Sequence, residues 1–404
     1  MSDRLRALAV LMLATLLAAP GARAADAVPA DEAGADMASM ERSRFTLTGY
    51  DKLLGISSRT NGPQLGQPDE GYGLGLNRLR LKLRYQPTDT LELRIENDTE
   101  YRFGSYLGTR QFQADKTAAP TQFWYRQSEL YDEHRQYLTN RMFRAYAKAS
   151  LGEADVTVGR QRVPLGTGRI WSTVDMLNPI NPLQIERDEY VGVDAALVEF
   201  RLGPLSKLLA IYAPDPAHRK DRAVFQYRTH DEATDYSLTA GRYGDDDLVG
   251  ADFATQLGDM GVHGEWSSVR PRADGRASYG KALLGLDYAF ANTFNIAIEA
   301  YWSGQSRADR DRVFSETPLL RQLQPVGTRY LGTTLSYEFT PIFKGSLYAF
   351  RNLEDSSRFL SPVLNYSLDD NSSVQIGAQW FRGGRTSEYG QGRNLYYLQW
   401  QRYF

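Results

Sequence analysis

The stretch Leu79-Arg80-Leu81-Lys82-Leu83-Arg84-Tyr85 decides the fold class. Extended backbone sends successive side chains to opposite faces. Here Leu79, Leu81, Leu83 and Tyr85 share one face, and Arg78, Arg80, Lys82 and Arg84 share the other. After a short turn at Gln86–Thr90 the pattern resumes. Leu91, Leu93 and Ile95 alternate with Glu92, Arg94, Glu96, Asp98, Glu100 and Arg102. A soluble sheet also alternates, with one face buried, but it has no place for so many ten-residue segments carrying charged ladders. A wide barrel does: water inside takes the charges and lipid outside takes the leucines.

Working outward, the same period recurs. Ala282, Leu284, Leu286, Tyr288 and Phe290 alternate with Lys281, Leu283, Gly285 and Asp287. Phe294, Ile296, Ile298, Ala300 and Trp302 alternate with Asn295, Ala297, Glu299 and Tyr301. Eighteen such segments fill residues 43–404, the weakest of them between 205 and 270, so sixteen remains the alternative count. Even-numbered segments are followed by tight turns, and the long connections follow odd-numbered ones. The expectation is an all-β, transmembrane antiparallel β-barrel with short periplasmic turns and long extracellular loops. Before it, Met1–Ala24 carries Arg4, Arg6, an apolar run over 7–19 and Ala22-Arg23-Ala24, the layout of a cleaved secretory signal. Residues 25–42, rich in Ala, Asp and Glu, read as a flexible leader.

Composition narrows the function. Among 404 residues there are 47 basic and 49 acidic ones, a formal charge of −2, which argues against a nucleic-acid binder. With 25 Tyr, 17 Phe and 6 Trp the chain is not a disordered one. It has no cysteine and four histidines, which removes disulfides and thiolate metal sites. No H-x-x-x-H pair, G-x-S-x-G elbow or phosphate loop is present. The sequence thus gives no reason to expect catalytic residues, a metal or a cofactor.

Three connections are long: 105–139, 164–189 and 304–327. The first is polar and aromatic, and the third carries the charge run Arg307–Arg312. The second follows Gly159-Arg160-Gln161-Arg162-Val163 and is the most distinctive: Pro164-Leu165-Gly166-Thr167-Gly168-Arg169-Ile170-Trp171-Ser172-Thr173-Val174-Asp175-Met176-Leu177-Asn178-Pro179-Ile180-Asn181-Pro182. Two Asn-Pro pairs, Gly166 and Gly168 favour tight turns, while Trp171, Met176, Leu177 and Ile180 supply apolar contacts. A compact loop of this kind either folds into the bore or clasps the outer rim. In the first case Arg160, Arg162, Arg169, Trp171, Asp175, Asn178 and Asn181 are the candidate constriction residues.

The stretch G-R-Q-R-V-P-L-G-T-G-R-I-W-S, then D-M-L-N-P-I-N-P and the return strand from Tyr190 to Ala196, resembles Gram-negative outer-membrane porin-like barrels. The G-R-Q opening, the basic ladder and the strand count are also similar, more weakly, to the alginate-export barrels. The last strand, with Tyr396, Leu398, Trp400 and Phe404 on one face and Arg402 interrupting it, resembles an outer-membrane assembly signal. The resemblance implies the cell outer membrane, its lipids and lipopolysaccharide as surroundings, and the barrel-assembly machinery as a partner in biogenesis. It implies passive transport of a small polar or anionic solute. Candidate pore-lining residues are Arg78, Arg80, Lys82, Arg84, Glu92, Arg94, Glu96, Asp98, Arg144 and Lys148, the last two opposite Phe143, Ala145 and Ala147. Two alternatives stay open: a dedicated carrier of an anionic polysaccharide or other specific compound, and a barrel that sheathes a periplasmic partner. Oligomeric state is also open.

Overall fold

The computed structural model describes residues 44–404 except 61–69, 118–121, 125–126, 134, 179–180, 187–191, 217–219, 273–274, 306–324 and 326. The signal segment and leader, His134, His218 and the charge run at 307–312 therefore lie outside the described residues. The strands are β1 (Phe45–Arg59), β2 (Gly71–Thr88), β3 (Leu91–Phe103), β4 (Gln127–Glu133), β5 (Gln136–Leu151), β6 (Ala154–Gln161), β7 (Val193–Arg201), β8 (Ser206–Ala213), β9 (Arg222–Asp231) and β10 (Thr234–Tyr243). They continue as β11 (Asp246–Leu257), β12 (Met260–Pro271), β13 (Tyr279–Ala289), β14 (Asn295–Ser303), β15 (Arg329–Thr340), β16 (Phe343–Asn352), β17 (Arg358–Asp369), β18 (Ser372–Arg382) and β19 (Leu395–Tyr403).

Each strand is antiparallel to its neighbours, and β1 pairs with both β2 and β19, so the sheet closes. β3 pairs directly with β5, while β4 folds back on the first half of β5. The perimeter is therefore eighteen strands, and the uncertain region supplies β8 to β12 without a gap, which removes the sixteen-strand count. Closure leaves no unpaired edge, the condition for a sheet to cross hydrocarbon.

The expected loop 105–139 needs correction. It contains a 3-10 turn at Ser105–Gly108, a helix α1 (Arg110–Lys116), β4 and the start of β5. Thr109 caps α1 by accepting the Phe112 amide on its hydroxyl. The strand Gln127–Glu133 escapes a pattern search because Ser128, Glu129, Asp132 and Glu133 leave no apolar alternation.

The outward face is apolar. Leu47, Leu53, Leu81, Leu93, Ile95, Leu284, Leu286, Ile298, Leu364, Ile376 and Leu398 are exposed side chains that only lipid can cover. Aromatic residues flank this belt. Tyr85, Phe290, Phe339, Tyr366 and Phe404 are at the end with the short turns, the start of β1 and the end of β19, which is the periplasmic end, and Phe103, Tyr212, Phe225 and Trp302 are toward the other. Phe404 exchanges backbone hydrogen bonds with Gly49 at 2.9 and 3.1 Å, and its ring covers the space a side chain at Gly49 would need.

One ion pair breaks the outward pattern. Register sets Arg160 beside Ala145 and Asp194, on the parity that carries the exposed Val158 and Val198. Yet Arg160 is only 2% exposed. It binds Asp194 at 2.9 Å and donates to the Met142 and Trp124 carbonyls, and the Trp124 amide donates back to Asp194 at 2.7 Å. The segment at 122–124 thus shields a charge pair from lipid. Arg160→Ala leaves Asp194 buried and unpaired and should cost about 3–5 kcal/mol. Urea unfolding in lipid vesicles checks this, and the apolar double replacement Arg160→Met/Asp194→Leu should recover most of the loss.

Candidate functional site: the barrel interior and its crossing loop

The inward faces of β2 and β3 meet in register: Arg78 opposite Glu100, Arg80 opposite Asp98, Lys82 opposite Glu96 and Arg84 opposite Arg94. Arg80 and Asp98 form a bidentate pair at 2.5 and 2.8 Å, both essentially buried. Arg78 binds Glu100 at 2.7 Å, and Arg141 and Arg102 close on the same carboxylates at 2.6–3.2 Å. A bulge between β3 and β5 skips Phe143, because Glu96 pairs with Arg144 and Asn97 with Met142. The skipped Phe143 is buried under the Arg80 guanidinium, whose carbon is 3.4 Å from the ring centre. Phe143 therefore does not share the outward set with Ala145 and Ala147, as alternation alone would have it.

The ladder divides accordingly. Arg78, Arg80, Glu96 and Asp98 are buried. Arg84 with Glu92 at 2.8 Å, Arg94 with Glu96 at 3.4 Å, Arg144 with Glu96 at 3.8 Å and Lys148 with Asp155 at 3.4 Å are more open. Lys82 has no carboxylate partner among the described residues, and its ammonium stands 5.5 Å from the Tyr50 ring centre. Along β1–β5, inward cations outnumber inward carboxylates.

The connection from β6 to β7 crosses the interior. Arg228 of β9 donates to the Pro164 carbonyl, Tyr243 of β10 to the Val174 carbonyl and Ser267 of β12 to the Thr173 carbonyl. Two inward carboxylates grip its middle. Glu265 of β12 accepts the Thr167 and Gly168 amides at 2.8 and 2.7 Å on one oxygen, and the Ser172 hydroxyl and Thr173 amide on the other. Glu299 of β14 accepts the amides of Arg169, Ile170 and Trp171 at 2.5, 3.0 and 3.3 Å, with His263 on the same carboxylate at 2.9 Å. Hydrogen bonds to an ionised acceptor are worth about 1.5–3 kcal/mol each. Farther along, Gln379 of β18 donates to the Leu183 carbonyl. Lys52 of β1 and Arg78 of β2 bind Glu186 at 2.5 and 2.8 Å. Burial pushes the Glu186 carboxyl up, but these two cations outweigh it and hold it below the ordinary range.

The loop can lie this close because the wall makes room. Gly332 of β15 faces Ile170 and the Trp171 ring, and Gly250 of β11 faces Val174. Gly166 has φ +79° and sits against the Glu265 carboxylate, where a side chain does not fit. Trp171 is 2% exposed among Tyr301, Tyr330 and Phe350.

The seven candidate loop residues therefore separate. Arg169 and Asn181 border an open cavity of about 320 Å³ against β13–β16, with Asp287, Asn295, Ser336 and Tyr348 among its walls. Arg169 binds Asp287 there at 2.9 Å and is half exposed. Trp171 is buried against the wall, and Asp175 and Asn178 are buried within the loop. Arg162 is exposed beyond the end of β6, and Arg160 is turned away to Asp194. No sequence pattern marks Glu265, Glu299, Asp287, Lys52 or Glu186 as loop anchors. Their partners are mostly backbone amides and distant charges, which no spacing rule records.

An eighteen-strand closed barrel with an apolar outer belt, a charged interior and a loop across the bore has the architecture of a Gram-negative outer-membrane porin. No family model matches the chain, and no curated protein matches it by sequence. Solved structures match by fold. The BenF-like porin from Pseudomonas fluorescens Pf-5 is similar over 90% of this chain and 99% of its own, at 10% identity and a TM-score of 0.57. Pseudomonas aeruginosa OccK2 (OpdF), solved in complex with glucuronate, matches 89% of this chain and 96% of its own, at 11% identity and 0.56. Outer membrane protein OpdK of the same species matches 89% and 98%, at 11% and 0.55, and another OpdK structure holds vanillate. The shared fold is that of barrels of the cell outer membrane.

Two outcomes test the loop anchors. Glu299→Gln weakens three amide contacts at once and should speed tryptic cleavage after Arg169 about tenfold or more; an unchanged rate removes the anchor. Asp175 offers a pH signature. Burial raises its pKa from 3.8 to about 6, although the Leu165, Leu177 and Asn178 amides donate to it. A raised carboxyl penalises the folded state above its folded pKa and not below its unfolded one. Its contribution to stability should therefore improve as pH falls from above about 6 to about 4, by up to ~3 kcal/mol. The difference between wild type and Asp175→Asn in urea unfolding, followed from pH 4 to 8, reads it.

Proposed function

We propose that the protein is a passive outer-membrane channel for small polar solutes, with a preference for anions. The observation that carries this is the pairing of an interior crossed by the loop at 162–192 with a β1–β5 wall on which cations are in excess. Lys82, Arg84, Arg94, Arg144 and Lys148 form the open part of that wall, while Arg78, Arg80, Glu96 and Asp98 brace it. A local field of this sign raises the concentration of anions at the entry to a narrow passage. Arg169, Asp287 and Asn181, at the loop's free cavity, present a donor and an acceptor side by side, suited to a solute with several hydroxyl or carboxylate groups. That glucuronate and vanillate are bound by barrels of the same fold supports this reading. The crossing loop favours a small solute over a polysaccharide or a sheathed partner protein, each of which needs an open bore. No catalytic step is part of the proposal.

Planar-bilayer conductance of the purified protein, with reversal potentials under a salt gradient, tests it. The wild type should conduct and favour chloride over potassium. Lys82→Glu should move the reversal potential toward cation preference without loss of folding, since Lys82 has no carboxylate partner among the described residues to abandon. A reversal potential unmoved by Lys82→Glu would sink the assignment of the β1–β5 wall as the selective surface.

A further inference from the structure

At the extracellular end of β15–β18 four arginines point outward from adjacent strands. Arg351 stands opposite Arg358, and Arg358 opposite Arg382, in direct register. Arg329 continues the row on β15, two residues beyond Leu331, which faces Arg351. All four are exposed. Strands lie about 4.8 Å apart, so the row spans roughly 14 Å of the rim. Like charges directly across a ladder repel, and no described carboxylate pairs with them. Among the described residues, Arg329, Arg351, Arg358 and Arg382 form no ion pair, and Arg382 donates only to the Phe381 carbonyl and Asn394.

The neighbouring acids are committed elsewhere. Glu354 accepts from the Thr328 amide and hydroxyl, Asp355 from the Ser357 and Glu388 amides, and Glu388 from Tyr330 and Asn352. Directly below the arginines the outward surface turns apolar. A groove of about 260 Å³ runs there between Leu331, Ala349 and Leu360, with Arg351 and Arg358 at its upper end. The small Ala349, between Thr333 on β15 and Leu360 on β17, leaves the groove open. Trp380 stands beside Leu360, and Leu364 and Ile376 extend the apolar surface deeper along β17 and β18.

We propose that this face is a binding site for the phosphorylated glycolipid of the outer leaflet, the lipid A part of lipopolysaccharide. Its phosphates engage Arg351, Arg358 and Arg382, with Arg329 at the flank, and one acyl chain fills the groove over Ala349. Arginine forks match phosphate oxygens bidentately, and the anion removes the repulsion along the row. The order of chemistries, anion above hydrocarbon on a surface that faces lipid, selects an amphiphile over a soluble anion. The proposal rests on the outer-membrane placement of the barrel and not on the choice of solute.

Native mass spectrometry of the full protein, refolded in detergent with defined additives, tests it. The probes are diphosphorylated lipid A, the same lipid stripped of phosphate, phosphatidylglycerol and inorganic phosphate. The wild type should retain diphosphorylated lipid A and release the others. Arg351→Ala/Arg358→Ala should reduce retention by about tenfold or more. Ala349→Trp, which fills the groove and keeps the arginines, should reduce it as well. Equal retention by either variant overturns the site. So does equal retention of phosphatidylglycerol, or displacement of the lipid by inorganic phosphate, which would mark a general anion surface. Bilayer conductance of the same preparations separates the two proposals: variants that lose the lipid and still conduct leave the channel standing, and a wild type that binds the lipid without conducting leaves the lipid site standing.

Discussion

The structure depends on the pairing of β1 with β19. That one ladder, from Tyr50 opposite Tyr403 to Ser57 opposite Tyr396, converts a long meander into a closed wall. Hydrocarbon offers no partner to an amide or a carbonyl, so an open edge could not persist there. With the edge removed, each strand is left with two environments and the side chains sort between them. The terminal Phe404, bonded to Gly49 and lying over it, closes the last seam at the periplasmic end.

Closure also creates an interior too wide to fill with side chains. The chain answers with its own backbone. A loop crossing that space brings amides and carbonyls that need partners, and the wall supplies them from isolated inward groups on β9, β10, β12, β14 and β18. Glu265 and Glu299 take the largest share, four and three donors from the loop respectively. Their role is thus to fix a segment within the bore. The residues proposed to meet a solute are those not spent on anchoring, Arg169 and Asn181 on the loop's free side and the open cations of β2, β3 and β5.

Charge is divided by depth. Near the extracellular half of β2, β3 and β5 the ions are buried, mutually bonded and joined through Arg78 and Lys52 to Glu186 of the loop. Buried pairs of this kind hold geometry more than they add stability. Toward the periplasmic half, at Lys82, Arg84, Arg94 and Lys148, they open to water. On the outer surface the extracellular end carries both kinds, Arg160 hidden with Asp194 and the arginines at the tips of β15–β18 without an ion pair among the described residues.

The sequence alone determined the fold class and the run of alternating segments that became the perimeter strands, and closure decided eighteen over sixteen. Period-two alternation is a local property, and two solvents enforce it on every strand, so it is written wherever a strand crosses the membrane. β4 and α1 were not legible because they lie above the lipid, where nothing imposes alternation. Tertiary structure alone decided which charges face water. Arg80 and Lys82 sit two residues apart on one face and read alike, but only Arg80 meets Asp98 and the Phe143 ring that a bulge turns inward. Arg160 and Arg169 likewise belong to one motif, and the path of the loop sends them to opposite sides of the wall. Such partners are brought together by closure across the barrel, and closure distances leave no trace in the order of residues along the chain.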